Sequence, residues 1–283
     1  MITLNLSGGL GNQMFQYASG LALAKHNSTA LKLDLSEFLH YPLRSYMLNC
    51  YKLSDEVKFN AGIKFKWLQK IKNRLPDPNK YTEPHYHYDP NFFEAKDGFS
   101  VTGYFQSENY FKAIENDIRD HFTIKENLSS SSANIEKQIK AAKHAVSLHV
   151  RRGDYVSDTK TQKVHGSASE DYYKSAVGHL IEKLGEDIHF FIFSDDTQYA
   201  QSNFDFCQQK TIVSGNDDAP HEDMYLMSQC HHNILANSSF SWWGAWLNEH
   251  KDKNVIAPAQ WFSAETLKEK SIADLFPKDW III

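Results

Sequence analysis

Short apolar runs alternate with amphipathic stretches along most of this chain, and this alternation limits the possible folds more than any other feature. Apolar runs typical of strands include "ITLNLS" at 2–7, "AVSLHV" at 145–150 and "HFFIFS" at 189–194. Helical patterns follow such runs, for example "DYYKSAVGHLIEKL" at 171–184. A strand, a helix and another strand in succession predict β-α-β units, and therefore parallel sheets.

A run of four serines interrupts this alternation, in "KENLSSSSANIEK" at 125–137. Such a run packs poorly and is typical of a boundary between domains. We therefore expect an α/β protein with two Rossmann-like domains, at 1–128 and 129–283. Ligands of open parallel sheets bind beyond the carboxyl ends of the strands, so two such domains predict a ligand cleft between them.

Charge and cysteine content limit the classes of partner and compartment. The net charge is −5 and the sequence pI is about 6.3, so the chain lacks the general basic field of a nucleic-acid-binding protein. Its three cysteines are far apart in sequence, which favours a reducing compartment over a disulfide framework. With neither a signal peptide at the N-terminus nor an apolar run of membrane-spanning length, the sequence predicts a soluble, cytoplasmic protein.

Two arginines follow the strand at 145–150, in "LHVRRGDY". Alternate residues of a strand point the same way, so His149 and Arg151 are expected to face together at its carboxyl end. A guanidinium offers a planar pair of donors that suits a phosphate. A surface ion pair of Arg151 with Asp154 is the simpler interpretation, but the clustering of these groups favours an anion site.

A glycine loop, "GGLGNQ" at 8–13, lies between the first predicted strand and helix. It resembles the dinucleotide-binding pattern, except that Met14 occupies the position of the third glycine. Gly9 and Gly11 would let the backbone approach a ligand, and the following helix N-terminus favours negative charge. A tight structural turn explains the loop equally well.

Polar residues also end two later strands. In "IFSDD", Asp195 or Asp196 could accept hydrogen bonds from a nucleotide base or ribose, or cap a helix. In "ANSSFSWWGAWL", Ser238 and Ser239 could cap a helix, bind a phosphate, or do both. The chain contains no D-x-D pattern, and its histidine pairs lack matching ligands, so we expect no metal site.

Residues 62–75, "GIKFKWLQKIKNRL", form a basic amphipathic pattern. Such a helix could rest on an anionic membrane surface, which predicts a possible peripheral location at the inner membrane face. A solvated helix packed on the core is the alternative.

Taken in order, "GGLGNQMFQYASGLALA", "GYFQSENYF", "HVRRGDY", "FSDD" and "ANSSFSWWGAWL" resemble the bacterial α-1,2-fucosyltransferases of glycosyltransferase family 11. The resemblance implies a GT-B fold, in which two Rossmann-like domains face each other across a cleft. It also implies an inverting transfer from GDP-β-L-fucose to the 2-hydroxyl of a galactoside without an obligatory metal or other cofactor. The acceptor would be a galactose-terminated oligosaccharide or a lipid-linked glycan, such as an O-antigen unit.

The resemblance further implies roles for individual residues. Arg151 would contact the donor diphosphate, His149 would line the nucleotide site, and Asn12 would face the donor from the other domain. Asp154 is the candidate base from its place in the motif, although it could instead lock an arginine. The remaining predicted donor contacts are Gly9, Gly11, Gln13, Asp195, Asp196, Ser238, Ser239 and Phe240.

Two other functions fit the same sequence. One is a GT-B transferase that uses a different GDP-sugar. The other is a carbohydrate-binding protein without turnover, whose aromatic residues stack on sugars. The second fits poorly, because such a protein needs neither the double arginine nor the glycine loop.

Overall fold

A computed structural model describes residues 1–39, 44–55, 57–60, 78–152, 168–216 and 218–283. The chain divides into two compact units. The first unit consists of Met1–Lys125 and Lys270–Phe276, and the second of Glu126–Glu269 and Pro277–Ile283. The chain therefore passes between the units close to the predicted boundary at 128/129.

Residues 270–276 belong with the first unit, which the sequence analysis did not anticipate. Hydrogen bonds of Asp274 explain this assignment. Its carboxylate accepts the backbone N–H of Tyr88 at 2.8 Å, and its carbonyl accepts the hydroxyl of Ser107 at 2.7 Å. These long-range bonds attach the late segment to the first unit.

The first unit is built on a parallel sheet. Its strands are β1 (Ile2–Asn5), β2 (Leu31–Asp34), β3 (Lys58–Asn60), β4 (Lys80–Thr82) and β5 (Ser100–Thr102). Its helices are α1 (Leu10–His26) and α2 (Glu115–His121). The strand order is β3-β2-β1-β5-β4, so the loop that leaves the central strand β1 is flanked by the ends of β2 and β5.

Helix α1 packs closely against this sheet because Gly20 lacks a side chain. A Cβ built there would lie 2.8 Å from Cδ2 of Leu4 and 3.1 Å from Cδ1 of Leu31. Both leucines are buried. A larger residue at position 20 would push the helix, and the glycine loop that precedes it, away from the sheet.

The second unit has a larger parallel sheet. Its strands are β6 (Ala145–Val150), β7 (His189–Ser194), β8 (Gln209–Val213), β9 (His232–Ile234), β10 (Val255–Ala257) and β11 (Ile281–Ile282). Its helices are α3 (Ser130–Ala141), α4 (Glu170–Leu184), α5 (Thr197–Asn203), α6 (Pro220–Gln229) and α7 (Ser239–Trp246). The strand order is β11-β10-β9-β6-β7-β8.

Strand β6 forms the centre of the second unit. All six of its residues are buried, as expected for a parallel strand covered on both faces. On one face, Val146 and Leu148 pack in an apolar cluster with Leu180 of α4. The predicted strands at 145–150 and 189–194 are confirmed, and these are the strands that carry the arginine and aspartate pairs.

The serine run beside the predicted boundary is ordered, although such runs pack poorly. Ser129 is the N-cap of α3, where its Oγ accepts the N–H of Ser132 at 3.2 Å. The same hydroxyl donates to Glu222 at 2.6 Å. Serines compete poorly inside helices but cap helix starts well, so the run begins an ordered helix.

A histidine cluster lies at the amino end of the second sheet. The ring centre of His232 is 6.0 Å from that of His144, 6.3 Å from His231 and 6.2 Å from His250. Nδ1 of His232 accepts the backbone N–H of Asn254 at 3.0 Å. Burial is the main cause that lowers the pKa of His232 to about 4, and the neighbouring histidines and Lys183 add to the shift.

We expect this cluster to make the second unit sensitive to acid. A histidine with a lowered folded-state pKa contributes full stability above its unfolded pKa of about 6.5 and loses that contribution as the pH falls. The free energy of unfolding of wild type should fall from about pH 8 to about pH 5. In His232→Asn this fall should be smaller by about 2 kcal/mol. The measurement is urea unfolding followed by tryptophan fluorescence, since five of the six tryptophans belong to the second unit.

All other histidines are the same in both proteins, so the difference between the two pH dependences isolates position 232. Parallel loss of stability in wild type and His232→Asn would show that His232 is not the acid-sensitive group.

Candidate active site

The carboxyl ends of β6 and β7 place two arginines beside two aspartates. The strands are parallel neighbours in which Val150 pairs with Ser194, so the following residues leave the sheet side by side. Nη1 of Arg151 lies 2.7 Å from Oδ2 of Asp195. The other oxygen of Asp195 accepts the backbone N–H of Arg152 at 2.8 Å. One carboxylate therefore fixes the Arg151 guanidinium and the first peptide after it.

Arg152 is held by different groups. Its Nε lies 3.3 Å from Oδ2 of Asp196. Its Cζ lies 3.7 Å from the centre of the Tyr199 ring, which is a cation–π contact. Asp196 is also the N-cap of α5, where it accepts the N–H of Tyr199 at 2.9 Å. These contacts give Arg152 a structural role at the start of α5.

For Asp195 and Asp196 the sequence analysis offered two roles, a nucleotide contact and a helix cap. The helix-cap interpretation is confirmed for Asp196. The ion pairs with Arg151 and Arg152 were not foreseen, because the partner considered for them was Asp154. A contact of Asp195 or Asp196 with a nucleotide base or ribose stays a prediction.

His149 lies in the same strand end, two residues before Arg151. Its side chain is only 5% exposed, and its Nδ1 has no hydrogen-bond partner among the described residues. Burial is the main cause that lowers the pKa of His149 to about 3; Arg151 lowers it further, and Asp195 opposes the shift. The imidazole is therefore neutral at physiological pH. A buried nitrogen without a partner is costly in free energy, which is typical of an atom that contacts a ligand.

The start of α7 contributes a third group at this edge. Ser238 is the N-cap, and its Oγ accepts the N–H of Phe240 at 3.3 Å. Ser239 is the first residue of the helix and is half-buried. The Phe240 ring centre lies 5.6 Å from that of His149. The predicted cap is confirmed for Ser238, while phosphate binding by Ser238 and Ser239 stays a prediction.

Strand order explains why these residues meet. β9, which leads into α7, and β7 are the two neighbours of β6. Their carboxyl ends share one edge, which holds a fixed guanidinium, a neutral buried imidazole and a helix N-terminus. This combination suits an anionic ligand with oxygen acceptors, because cations and helix N-termini both stabilise negative charge.

The glycine loop of the first unit leaves β1 at the carboxyl edge of its sheet. Gly8 has a φ of +76°, and a Cβ there would lie 2.8 Å from Nδ2 of Asn12. Gly9 is the N-cap of α1, and a Cβ built there meets nothing within 4 Å. The fold itself therefore requires a glycine at position 8 but not at position 9. Gly11 is buried in the first turn of α1.

Asn12 and Gln13 differ in burial and in the described hydrogen bonds of their side chains. Asn12 is half-buried, and its Oδ1 accepts Nε2 of Gln106 at 2.8 Å. Gln13 is fully buried; it donates to the carbonyls of Gly8 and Ser45 at 2.9 and 2.8 Å and accepts the N–H of Met47 at 2.9 Å. Gln13 therefore braces the glycine loop, and its contact with a donor stays a prediction that this geometry does not favour.

Three polar residues of the first unit escaped the sequence analysis. Gln16 is buried and donates to the carbonyl of Gly103 at 2.9 Å. Gln106 bridges Asn12 and the hydroxyl of Tyr86. Burial raises the pKa of Glu83, and hydrogen bonds from the N–H groups of residues 104 and 105 oppose the rise. Gln16 and Gln106 lie in the quoted motifs "GGLGNQMFQYASGLALA" and "GYFQSENYF" but were not singled out there, and Glu83 lies in no pattern that marks it.

Several predictions lie outside the described residues. Asp154, the candidate base, is one of them, and the amphipathic segment 62–75 is another. Within the described ranges, no three His, Cys, Asp or Glu side chains are arranged to hold a metal, and no helix is both long and apolar enough to cross a bilayer. The predicted site residues that are described fall into two groups, one in each unit.

Comparison with solved structures supports the fold. The chain matches a mutant of Arabidopsis thaliana FUT1 in complex with GDP with a TM-score of 0.51, over 90% of this chain and 69% of that one, at 11% identity. At that identity the likeness concerns the fold alone. The predicted fold class, an α/β protein of GT-B type with two Rossmann-like units, is confirmed.

Comparison with known sequences identifies the family. The chain is 33% identical over 294 residues to the alpha-1,2-colitosyltransferase of Escherichia coli, covering 100% of this chain and 99% of the relative. It is 34% identical over 290 residues to the Escherichia coli O-antigen biosynthesis glycosyltransferase WbnK, covering 91% and 94%. The profile of glycosyl transferase family 11 matches residues 1–283, and the chain belongs to this family of glycosyltransferases.

Proposed function

We propose that this glycosyltransferase transfers L-fucose from GDP-β-L-fucose to the 2-hydroxyl of a β-galactoside, with inversion, to form an α-1,2 linkage. The observation that carries the proposal is the arrangement of Arg151, Asp195 and His149. A guanidinium held by a carboxylate at 2.7 Å, beside a buried neutral imidazole, is suited to the diphosphate and nucleoside of such a donor. Rabbit galactoside alpha-(1,2)-fucosyltransferase 1, 24% identical over 258 residues, supports the choice of sugar and linkage.

In the proposed mechanism the reaction depends on charge at the leaving group. The bond between C1 of the sugar and the phosphate oxygen breaks, and negative charge develops on the departing GDP. Arg151 is already oriented by Asp195, so its cation stabilises that charge without reorganisation. The N-terminus of α7, capped by Ser238, adds to the stabilisation. We propose that these groups take the part that a divalent metal takes in other sugar-nucleotide enzymes.

The acceptor proposed here is a galactose-terminated oligosaccharide or a lipid-linked glycan. The relative WbnK is an O-antigen biosynthesis glycosyltransferase, which supports a glycan of that kind. In the proposed reaction the 2-hydroxyl of the acceptor galactose attacks C1 of the donor sugar and loses a proton. Asp154 stays the candidate base, and a cytoplasmic site of action with peripheral membrane contact through residues 62–75 stays part of the proposal.

A second candidate is transfer from another GDP-sugar, and one observation favours it. The relative that is 33% identical over the whole chain is named a colitosyltransferase. Colitose is L-fucose without its 3-hydroxyl group. The contacts proposed for Arg151 and His149 concern the diphosphate and the nucleoside, so they would serve both donors.

Parallel assays with the two donors distinguish the two candidate functions. Purified protein is incubated with lactose and either GDP-L-fucose or GDP-colitose, with EDTA present, and the product linkage is determined by NMR. We expect an α-1,2-fucosylated product in EDTA and a higher kcat/KM for GDP-L-fucose. A higher kcat/KM for GDP-colitose would move the assignment to the second candidate. Absence of transfer from either donor to lactose or to other galactosides would overturn the proposed function.

Arg151 should be indispensable for turnover. We expect Arg151→Ala to lower kcat by at least about a hundredfold, because a fixed cation at the leaving group is lost. Arg151→Lys should recover little, since an ammonium lacks the planar fork that Asp195 orients. Steady-state assays of donor turnover test both. Arg152→Lys is the matched control, since Asp196 and Tyr199 occupy that side chain; it should retain much more activity. Equal losses at the two positions would contradict the assignment.

Asp195 should act through Arg151 and not through donor affinity. Asp195→Asn keeps an acceptor for the Arg152 N–H but removes the charge that orients Arg151. We expect kcat to fall by about tenfold while the Kd for GDP stays unchanged or decreases, since a negative charge near the diphosphate is removed. Calorimetric titration with GDP and steady-state kinetics give the two values. Weaker GDP binding with an unchanged kcat would show instead that Asp195 contacts the donor.

A further inference from the structure

The turn after β5 adopts a strained backbone. Phe105 has a φ of +53°, a region that aromatic residues rarely occupy, and its ring is fully buried. Such strain persists only where surrounding contacts enforce it, and it clusters at functional sites. The turn lies at the carboxyl end of β5, which is the neighbour of β1 and of its glycine loop.

Two neighbours enforce this conformation. The carboxylate of Glu83 accepts the N–H of Tyr104 at 2.7 Å and that of Phe105 at 2.9 Å. Gly103 leaves room for this arrangement, since a Cβ there would lie 2.5 Å from Cβ of Glu83 and 2.7 Å from Cζ of Phe105. The turn is therefore built around a carboxylate clamp and a position that only glycine can fill.

The turn that Glu83 and Gly103 hold in place includes Tyr104. Tyr104 is 44% exposed, although the residues after it, Phe105 and Gln106, are buried. Gln106 donates to Asn12 at 2.8 Å, which ties the turn to the first turn of α1. The strained turn thus carries an exposed tyrosine at the carboxyl edge of the sheet, where ligands of parallel sheets bind.

An exposed aromatic face at this edge is suited to a neutral sugar. The apolar face of a pyranose packs on the ring, and amides bond its hydroxyls. The Glu83 carboxylate, 2.7 Å from the Tyr104 N–H, makes the position less favourable for an anionic ligand such as a diphosphate. We propose that Tyr104, held by Glu83 and Gly103, is the stacking platform for the acceptor glycan. This inference rests on the proposed function.

The test compares Tyr104→Ala with wild type, using lactose as the acceptor probe. We expect the lactose KM to rise about tenfold, as for the loss of an aromatic contact, with the KM for the donor and the melting temperature unchanged. Tyr104→Phe keeps the ring and should stay close to wild type. Phe59→Ala, which removes a 53% exposed ring from the opposite edge strand β3, is the matched control and should leave the lactose KM unchanged.

Gly103→Ala probes the same platform through the backbone. Its Cβ would collide with Glu83 and Phe105, so acceptor affinity should fall as it does in Tyr104→Ala, together with the melting temperature. Because this collision also destabilises the fold, Tyr104→Ala decides the question. An unchanged lactose KM in Tyr104→Ala, or an equal rise in Phe59→Ala, would overturn the proposal.

A binding measurement separates this inference from the proposed function. Saturation-transfer NMR of lactose with the protein, without any donor, reports acceptor contact directly. Loss of the signal in Tyr104→Ala and its retention in Tyr104→Phe would support the platform even if wild type failed to transfer fucose. Equal signals from wild type and Tyr104→Ala would refute it even if transfer succeeds.

Discussion

The ion pair of Arg151 with Asp195 depends on the parallel pairing of β6 with β7. Because Val150 and Ser194 are partners in this register, both side chains emerge at the same height beyond the sheet. A one-residue slip would turn the alternate residues of β7 to the opposite face and separate the pair. The buried apolar side chains of β6 and its neighbours fix the register, so core packing indirectly positions the charge.

This arrangement also explains how the second unit accommodates a buried histidine. A protonated His149 beside Arg151 would place two cations together in an environment of low polarity, which is highly unfavourable. The lowered pKa keeps the imidazole neutral, which suits the roles proposed above, a nucleoside contact for His149 and a phosphate contact for Arg151. Asp195 limits the local excess of positive charge. Arg151 and Asp195 therefore shift the pKa of His149 in opposite directions, and Asp195 also orients Arg151.

The sequence predicted those parts of the fold that depend on local pattern. Strand ends carrying Arg151 and Asp195 were found, because apolar runs followed by charged residues are visible in one dimension. Their contact was not predicted, since it depends on which strands are neighbours. The ordered helix start at the serine run was not predicted, because serines are common both at domain boundaries and at helix caps, and the partners of Ser129, which are Ser132 and Glu222, are not visible in the pattern. The strain at Phe105 could not be predicted, because its enforcing partner Glu83 belongs to another strand end.

Donor choice follows a different physical logic from leaving-group stabilisation. The diphosphate contacts proposed for Arg151 are the same for every GDP-sugar, so they raise the rate without selecting the sugar. A site that hydrogen-bonds the 3-hydroxyl of fucose leaves buried polar groups unpaired when colitose binds, and such sites discriminate by about 10⁴-fold or more. A site shaped for colitose rejects an added hydroxyl by only about 10²-fold. The size of the measured preference therefore indicates whether polar contacts to the 3-hydroxyl or the shape of the pocket selects the sugar.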